Sequence, residues 1–186
     1  MPLFTLTPFP DPAASPRHTA PDGRPSLTVE LVTGADGGLC LDYRMAAPGL
    51  RIPPPVPPRR AEGLWQHTCC ELFIARPGDR AYREFNFAPS GEWTVYDFLD
   101  YRQRAPGGDV VEPPLVEWHS EGPEVWRLRA RVPAALLPQR PWQLALTAVL
   151  EDCTGQFGYW ALTHAGERPD FHRRDSFFPF PDPQRP

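Results

Sequence analysis

Prolines interrupt this sequence so often that a fold built on long helices is excluded. The chain has 27 prolines and 14 glycines among its 186 residues, and a proline inside a helix removes a backbone hydrogen bond and clashes with the preceding turn. The other proportions, 41% hydrophobic and 23% charged residues, are typical of a soluble globular domain. A chain of this length can bury about 70% of its unfolded surface in one core. We therefore expect a single domain over residues 1–186, with a proline-rich lead-in at 8–25 and a proline-rich tail at 179–186.

Hydrophobic residues alternate with polar ones in the segments between the prolines, which is the pattern of strands with one buried face. Turn-forming Pro-Gly-Asp and Pro-Ser-Gly sequences join three of these segments into a meander. A single helical turn is expected at 134–137. The sequence thus predicts an all-β fold, an antiparallel β-sandwich of the jelly-roll type with proline-rich loops. The nine predicted strands are 4–7, 27–31, 39–45, 69–75, 81–88, 92–99, 126–132, 142–150 and 157–163.

The charge balance and the cysteines disfavour several classes of function. All 19 basic residues are arginines, and 23 acidic residues bring the net charge to -4, whereas proteins that bind nucleic acid carry a surplus of clustered positive charge. The four cysteines, Cys40, Cys69, Cys70 and Cys153, have no CxxC spacing, so we expect free thiols rather than a zinc site or a disulfide framework. The N-terminal residues lack the pattern of a secretory signal, and we expect a cytoplasmic protein that binds neither nucleic acid nor a membrane.

Carboxylate, amide and aromatic side chains share one face of the predicted meander. Strand alternation places Glu71 on the face opposite Cys70, and it places Glu84 and Asn86 together on one face of the next strand. A carboxylate in so apolar a strand needs a paired donor or a ligand, and sugars offer hydroxyl groups for hydrogen bonds and C–H faces for ring stacking. The face is therefore a candidate site for a polyol. In the alternative interpretation, Glu71 and Glu84 pair with arginines inside the sandwich and the tryptophan rings fill the core.

A second group of polar residues, later in the chain, could hold a metal ion. Asp170 and His172 are two residues apart and would share one face of an extended segment, and His164 or His67 could complete the ligand set. In the simpler interpretation, Asp170 and His172 hydrogen-bond to the backbone of a loop. The second functional hypothesis is accordingly a metal-dependent hydrolase that uses His164, Asp170 and His172. The third is a structural domain without a small ligand.

Five short motifs occur in the order of a known family. Leu-Trp-x5-Glu-Leu-Phe-Ile begins at Leu64, Tyr-x-Glu-Phe-Asn-Phe-x-Pro-x-Gly at Tyr82, Trp-x-x-Tyr-x-Phe at Trp93, Tyr-Trp-Ala-Leu-x-His at Tyr159, and Pro-Asp-Phe-His at Pro169. Through these motifs, residues 27–178 resemble the DOMON-like proteins related to family 9 carbohydrate-binding modules. The resemblance implies a β-sandwich that binds a small carbohydrate and has no catalytic activity.

The resemblance also implies a set of ligand-binding residues. In the sugar-binding relatives, a tryptophan, a glutamate six residues after it and a second tryptophan late in the chain form an aromatic clamp over a hydrogen-bonding floor. Trp65, Glu71 and Trp160 match these positions. The predicted site is completed by residues that follow within the same motifs or shortly after them, namely Asn86, Arg102 and His164.

The wider superfamily includes haem proteins, but this sequence lacks the usual signals of a haem site. The chain has no CxxCH attachment sequence, and neither Met1 nor Met45 makes a convincing axial pair with one of the five histidines. We therefore expect no cofactor.

Overall fold

In the part of the chain that the structure describes, the fold consists of twelve short strands and three 3-10 turns. The computed structural model describes residues 2–10, 26–106, 110 and 112–180, so most of the predicted lead-in lies outside the described residues. No α-helix occurs within those ranges, as the density of prolines predicts. The strands are β1 Leu3–Pro8, β2 Ser26–Thr33, β3 Leu39–Ala46, β4 Cys69–Ala75, β5 Tyr82–Phe87, β6 Trp93–Asp100, β7 Gln103–Arg104, β8 Leu115–Gly122, β9 Val125–Val132, β10 Trp142–Glu151, β11 Phe157–Ala161 and β12 Phe178–Phe180. The 3-10 turns are Leu64–Gln66, Ala134–Leu136 and Arg174–Ser176.

The strands form two packed layers that are joined through β1. The front layer, here called the site sheet, has the order β7-β6-β5-β4-β10-β11 with β12 beside β10, and the back sheet has the order β2-β3-β9-β8. Strand β1 pairs with β11 on one side and with β2 on the other. Every pairing between these strands is antiparallel. The structure confirms the all-β class and the antiparallel sandwich predicted from the sequence.

The main core lies between the two layers and is filled from alternate positions of each strand. On β4, the residues that face this core are Cys70, Leu72 and Ile74, and they are packed in one cluster with residues of the back sheet such as Leu41 and Tyr43. The hydrophobic residues that alternate along these strands in the sequence are therefore the residues whose side chains face the core.

The outer face of the site sheet is also covered, and this cover creates the candidate site. All seven residues of β4 are buried, although a strand in a simple sandwich has one face in solvent. Phe177, from the segment before β12, packs in a second apolar cluster with Phe73. Leu64, from the first 3-10 turn, packs in a third cluster with Cys69. These two loop segments leave a gap between them over the middle of the sheet.

Three strands were not predicted, and each lacks a strong alternating pattern. Strand β7 has two residues. Strand β8 lies at the edge of the back sheet, and of its eight residues only Val116 is buried. Strand β12 contains Pro179, where the sequence predicted the start of a tail. A proline is tolerated there because β12 is a short strand that pairs only with β10. Residues 181–186 lie outside the described part of the chain.

All four cysteines are free thiols, as the sequence predicts. Burial raises the pKa of the Cys69 and Cys70 thiols well above the ordinary value, and the neighbouring Glu71 adds to both increases. The thiolate is the reactive form of cysteine, so these two residues act as small core residues. No helix in the described ranges is long and apolar enough to cross a bilayer.

Candidate functional site

A cavity of about 700 Å³ lies over the outer face of the site sheet. This volume falls within the range of roughly 300 to 1,000 Å³ that is usual for small-ligand pockets. The floor consists of side chains from five neighbouring strands, Glu71, Phe73, Glu84, Tyr96, Phe98, Val149 and Tyr159. The walls come from the two covering segments and from the chain after β6, with Glu62, Gly63, Trp65, Gln66, Arg102, Arg104, Pro169, Phe171 and His172.

Two buried glutamates form the polar part of the floor. Glu71 and Glu84 are 2% and 4% exposed. The Thr147 hydroxyl donates a hydrogen bond to Glu71 Oε2 at 2.9 Å, and the Asn86 amide donates one to Glu84 Oε1 at 2.6 Å. Among the described residues, no arginine forms an ion pair with either glutamate. The arginine pairing of the alternative interpretation is therefore wrong, whereas its expectation that tryptophan rings fill the core is confirmed for Trp93, Trp142 and Trp160.

The burial of these carboxyl groups changes their protonation. Burial raises the pKa of Glu84 from 4.5 to about 7. Burial also raises the pKa of Glu71 well above its ordinary value, and the nearby Glu84 carboxylate raises it further. The floor consequently holds a proton over a wider pH range than exposed glutamates do. A protonated carboxyl group can donate as well as accept a hydrogen bond.

A chain of hydrogen bonds runs from the wall toward the floor. The Arg102 backbone N–H donates to the Tyr82 hydroxyl at 3.1 Å. That hydroxyl lies 2.8 Å from His172 Nδ1, within hydrogen-bond distance. Burial lowers the pKa of His172 to about 4. The ring is therefore neutral at pH 7, and its Nε2 lies 3.9 Å from Glu84 Oε2.

Two arginines at the rim are held in place by their own partners. Arg102 has a φ of 53°, a left-handed conformation that is uncommon for a residue with a side chain, and its guanidinium pairs with Asp170 at 2.9 Å. Arg104 pairs with Glu62 at 3.0 Å and lies 3.8 Å above the centre of the Tyr96 ring. These contacts fix both guanidinium groups at the edge of the cavity.

Exposed aromatic rings flank the cavity. Trp65 is 51% exposed and Tyr159 is 37% exposed. The Tyr159 ring lies 6.3 Å from that of Phe171, in a tilted arrangement. The turn that carries Trp65 is anchored on both sides, by the buried Leu64 and by a contact of 2.7 Å between His67 Nδ1 and Glu151. Rings that are exposed yet fixed in position can stack on the apolar face of a sugar.

Four of the six predicted ligand-binding residues lie at or directly beneath this cavity. Trp65, Glu71 and Arg102 line it. Asn86 is fully buried beneath the floor, where it orients Glu84. The structure therefore brings together residues that are far apart in the sequence.

The other two predicted residues lie elsewhere. Trp160 is 3% exposed and packs in the core between the layers, because neighbouring strand residues point to opposite faces. Its neighbour Tyr159 lines the cavity instead. His164 Nε2 lies 2.9 Å from the Thr7 carbonyl, and its ring contacts Phe9.

The metal-site hypothesis is not supported by the geometry. Asp170 accepts hydrogen bonds from Tyr101 and Arg102, while His164 and His172 have separate partners, described above. Across the described ranges, no group of three or more histidine, cysteine, aspartate or glutamate side chains is arranged to hold a metal ion.

Comparisons with known proteins give structural neighbours only. No protein-family model and no curated protein sequence matches the chain. Its fold is similar to that of a protein from Bacteroides uniformis described as a "putative carbohydrate-binding protein", with a TM-score of 0.63 and 15% identity over 95% of this chain and 85% of that one. A family 9 carbohydrate-binding module from Caldicellulosiruptor kristjanssonii, solved with cellotriose, gives a TM-score of 0.52 and 14% identity over 74% of this chain and 65% of that one. At this level of identity, the likeness establishes a shared fold.

Proposed function

We propose that this domain is a non-catalytic carbohydrate-binding module of the kind related to family 9 modules, and that its ligand occupies the cavity over the site sheet. One observation carries the proposal: two buried carboxyl groups form the floor of a cavity that is flanked by exposed aromatic rings. This arrangement offers both surfaces that a sugar needs, polar groups for its hydroxyls and rings for its C–H faces. The shared fold with carbohydrate-binding proteins supports the proposal.

In the proposed complex, each group of cavity residues has a distinct part. Trp65 and Tyr159 pack against the sugar ring from the mouth of the cavity. Glu71 and Glu84 exchange hydrogen bonds with hydroxyl groups, and Asn86 keeps Glu84 in position from behind. The guanidinium groups of Arg102 and Arg104 keep hydrogen-bond capacity for oxygen atoms at the outer end of the ligand.

We expect Trp65→Ala to weaken binding without unfolding the domain. Loss of a central aromatic contact is expected to weaken the affinity for a saccharide by about 2 kcal/mol, or roughly thirtyfold. The unfolding free energy should fall by about 1 kcal/mol or less, because half of the ring is already exposed. Calorimetric titration with a saccharide identified on a glycan panel measures the first change, and urea denaturation measures the second.

Phe157→Ala is the matched control for this experiment. Phe157 is an aromatic residue of β11 with an exposed fraction of 39%, similar to that of Tyr159, but it does not line the cavity. This variant should bind the saccharide as the unchanged protein does. If Trp65→Ala keeps full affinity, or if both variants lose affinity equally, the ligand does not stack on Trp65.

A further inference from the structure

The two carboxyl groups in the floor of the cavity have no arginine as a direct partner. Among the acidic residues of the cavity lining, Glu62 is neutralised by Arg104. The donors to Glu71 and Glu84 are the uncharged side chains of Thr147 and Asn86. Both carboxyl groups line the cavity, so a ligand can reach them there.

The rim arginines are engaged by other partners. Arg102 is paired with Asp170, which also accepts a hydrogen bond of 2.6 Å from the Tyr101 hydroxyl. Arg104 is paired with Glu62 and stacked on a ring. The charges of both arginines lower the pKa of Glu84, but neither guanidinium forms an ion pair with it. The two floor carboxyl groups therefore have room for a cationic partner from a ligand.

A ligand ammonium group can bind this floor in a way that a hydroxyl group cannot. It has three N–H donors and a positive charge, so it can donate to oxygen atoms of both carboxyl groups and favour their ionised forms. Aromatic rings such as Trp65 and Tyr159 also attract cations through their π faces. A neutral sugar offers hydrogen bonds but no charge that stabilises the ionised carboxylates.

We infer that the carbohydrate bound in this cavity is an amino sugar, whose ammonium group binds between Glu71 and Glu84. The inference rests on the proposed function and specifies the class of its ligand. Bound ammonium favours the ionised glutamates, so binding at pH 6 should release protons to the buffer. Proton release separates this mode from the binding of a neutral sugar.

Matched pairs of sugars test the inference by calorimetric titration at pH 6. The pairs are glucosamine and glucose, galactosamine and galactose, and the glucosamine trisaccharide and cellotriose. In the pair that binds most tightly, the amino sugar should bind about tenfold more tightly than its neutral partner, the gain expected for a charge-assisted hydrogen bond. Titrations in buffers with different ionisation enthalpies should detect the released protons.

Single substitutions test whether the preference for amino sugars depends on Glu71 and Glu84. Glu71→Gln and Glu84→Gln keep the shape of the side chain and remove its charge, and each should reduce the amino-sugar preference by about tenfold. Glu117→Gln is the control, because Glu117 is exposed on β8 of the back sheet. It should leave the preference unchanged.

The possible outcomes distinguish this inference from the proposed function. Tighter binding of the amino sugar, together with loss of the preference in both floor variants, supports the inference. Equal binding of a pair, or tighter binding of the neutral sugar, overturns the inference and leaves the carbohydrate-binding function standing. If no sugar of any pair binds and the glycan panel gives no ligand, both are overturned.

Discussion

The variant Glu71→Gln/Glu84→Gln is expected to gain about 3 kcal/mol of unfolding free energy as the pH rises from 4 to 6.5. The cause is His172, whose pKa is about 4 in the folded protein and 6.5 without the fold. Between these two values the unfolded chain binds more protons than the folded one, so raising the pH favours the folded state. In the unchanged protein, Glu71 and Glu84 make the unfolding free energy fall as the pH rises, which offsets the effect of His172. Replacing both glutamates removes this opposing effect.

His172→Asn is expected to show the opposite dependence on pH. Asparagine keeps an acceptor for the Tyr82 hydroxyl but does not titrate. The pKa of Glu84 is raised from 4.5 to about 7 in the folded protein, so between these values the folded state binds more protons than the unfolded chain. The contribution of Glu84 to stability is present below pH 4.5 and is lost as the pH rises through 7. The loss amounts to about 3 kcal/mol of unfolding free energy. The raised pKa of Glu71 adds to this loss.

Urea denaturation of the two variants at a series of pH values from 4 to 7.5 measures both effects. The carboxylates whose pKa values are lowered, such as Asp42 and Asp170, are common to both variants, so their contributions cancel in the difference between the two curves. Glu117→Gln serves as the control and should follow the unchanged protein. A difference between the two curves that does not change with pH would contradict the protonation states assigned to the floor.

The second large effect is expected for Trp160→Ala, which should lower the unfolding free energy by about 3 to 5 kcal/mol. Trp160 lies in the core between the sheets, so its truncation leaves a large cavity. Ligand affinity should persist in the folded fraction, because the ring does not line the cavity. If the alanine variant does not fold, Trp160→Phe gives a milder version of the same comparison.

Trp65→Ala is the counterpart of this experiment. The two substitutions should have opposite effects. Truncation of Trp160 should lower the unfolding free energy and leave the affinity unchanged, whereas truncation of Trp65 should lower the affinity and change the unfolding free energy little. Loss of saccharide binding by folded Trp160→Phe, with little change in stability, would contradict the placement of Trp160 in the core.

The strands were predictable from the sequence because burial between two layers produces a period of two. The meander of β4, β5 and β6 shows this directly, and the same alternation correctly placed Glu71 and Asn86 on one face. The assignment of Trp160 to the site came from the family resemblance. Alternation along β11 places Tyr159 and Trp160 on opposite faces. The pairing register decides between them, because Trp160 pairs with Ala148 of the core and Tyr159 pairs with Val149 of the cavity floor.

Other parts of the site could not be predicted from a strand pattern. Phe171 and His172 lie in a segment without regular structure, and their positions depend on how that segment folds back over the sheet. Arg104 belongs to a two-residue strand, and its place at the rim depends on its contacts with Glu62 and Tyr96. Such contacts join residues far apart in the chain and leave no local signal in the sequence.

Saccharide binding in the cavity over the site sheet is tested most directly by a crystal structure of the domain soaked with the tightest saccharide of the glycan panel. We expect a sugar ring in contact with Trp65 or Tyr159, with at least one polar group of the sugar within hydrogen-bond distance of Glu71 or Glu84. A saccharide bound at another surface, such as the outer face of the back sheet, with the cavity empty, would contradict it.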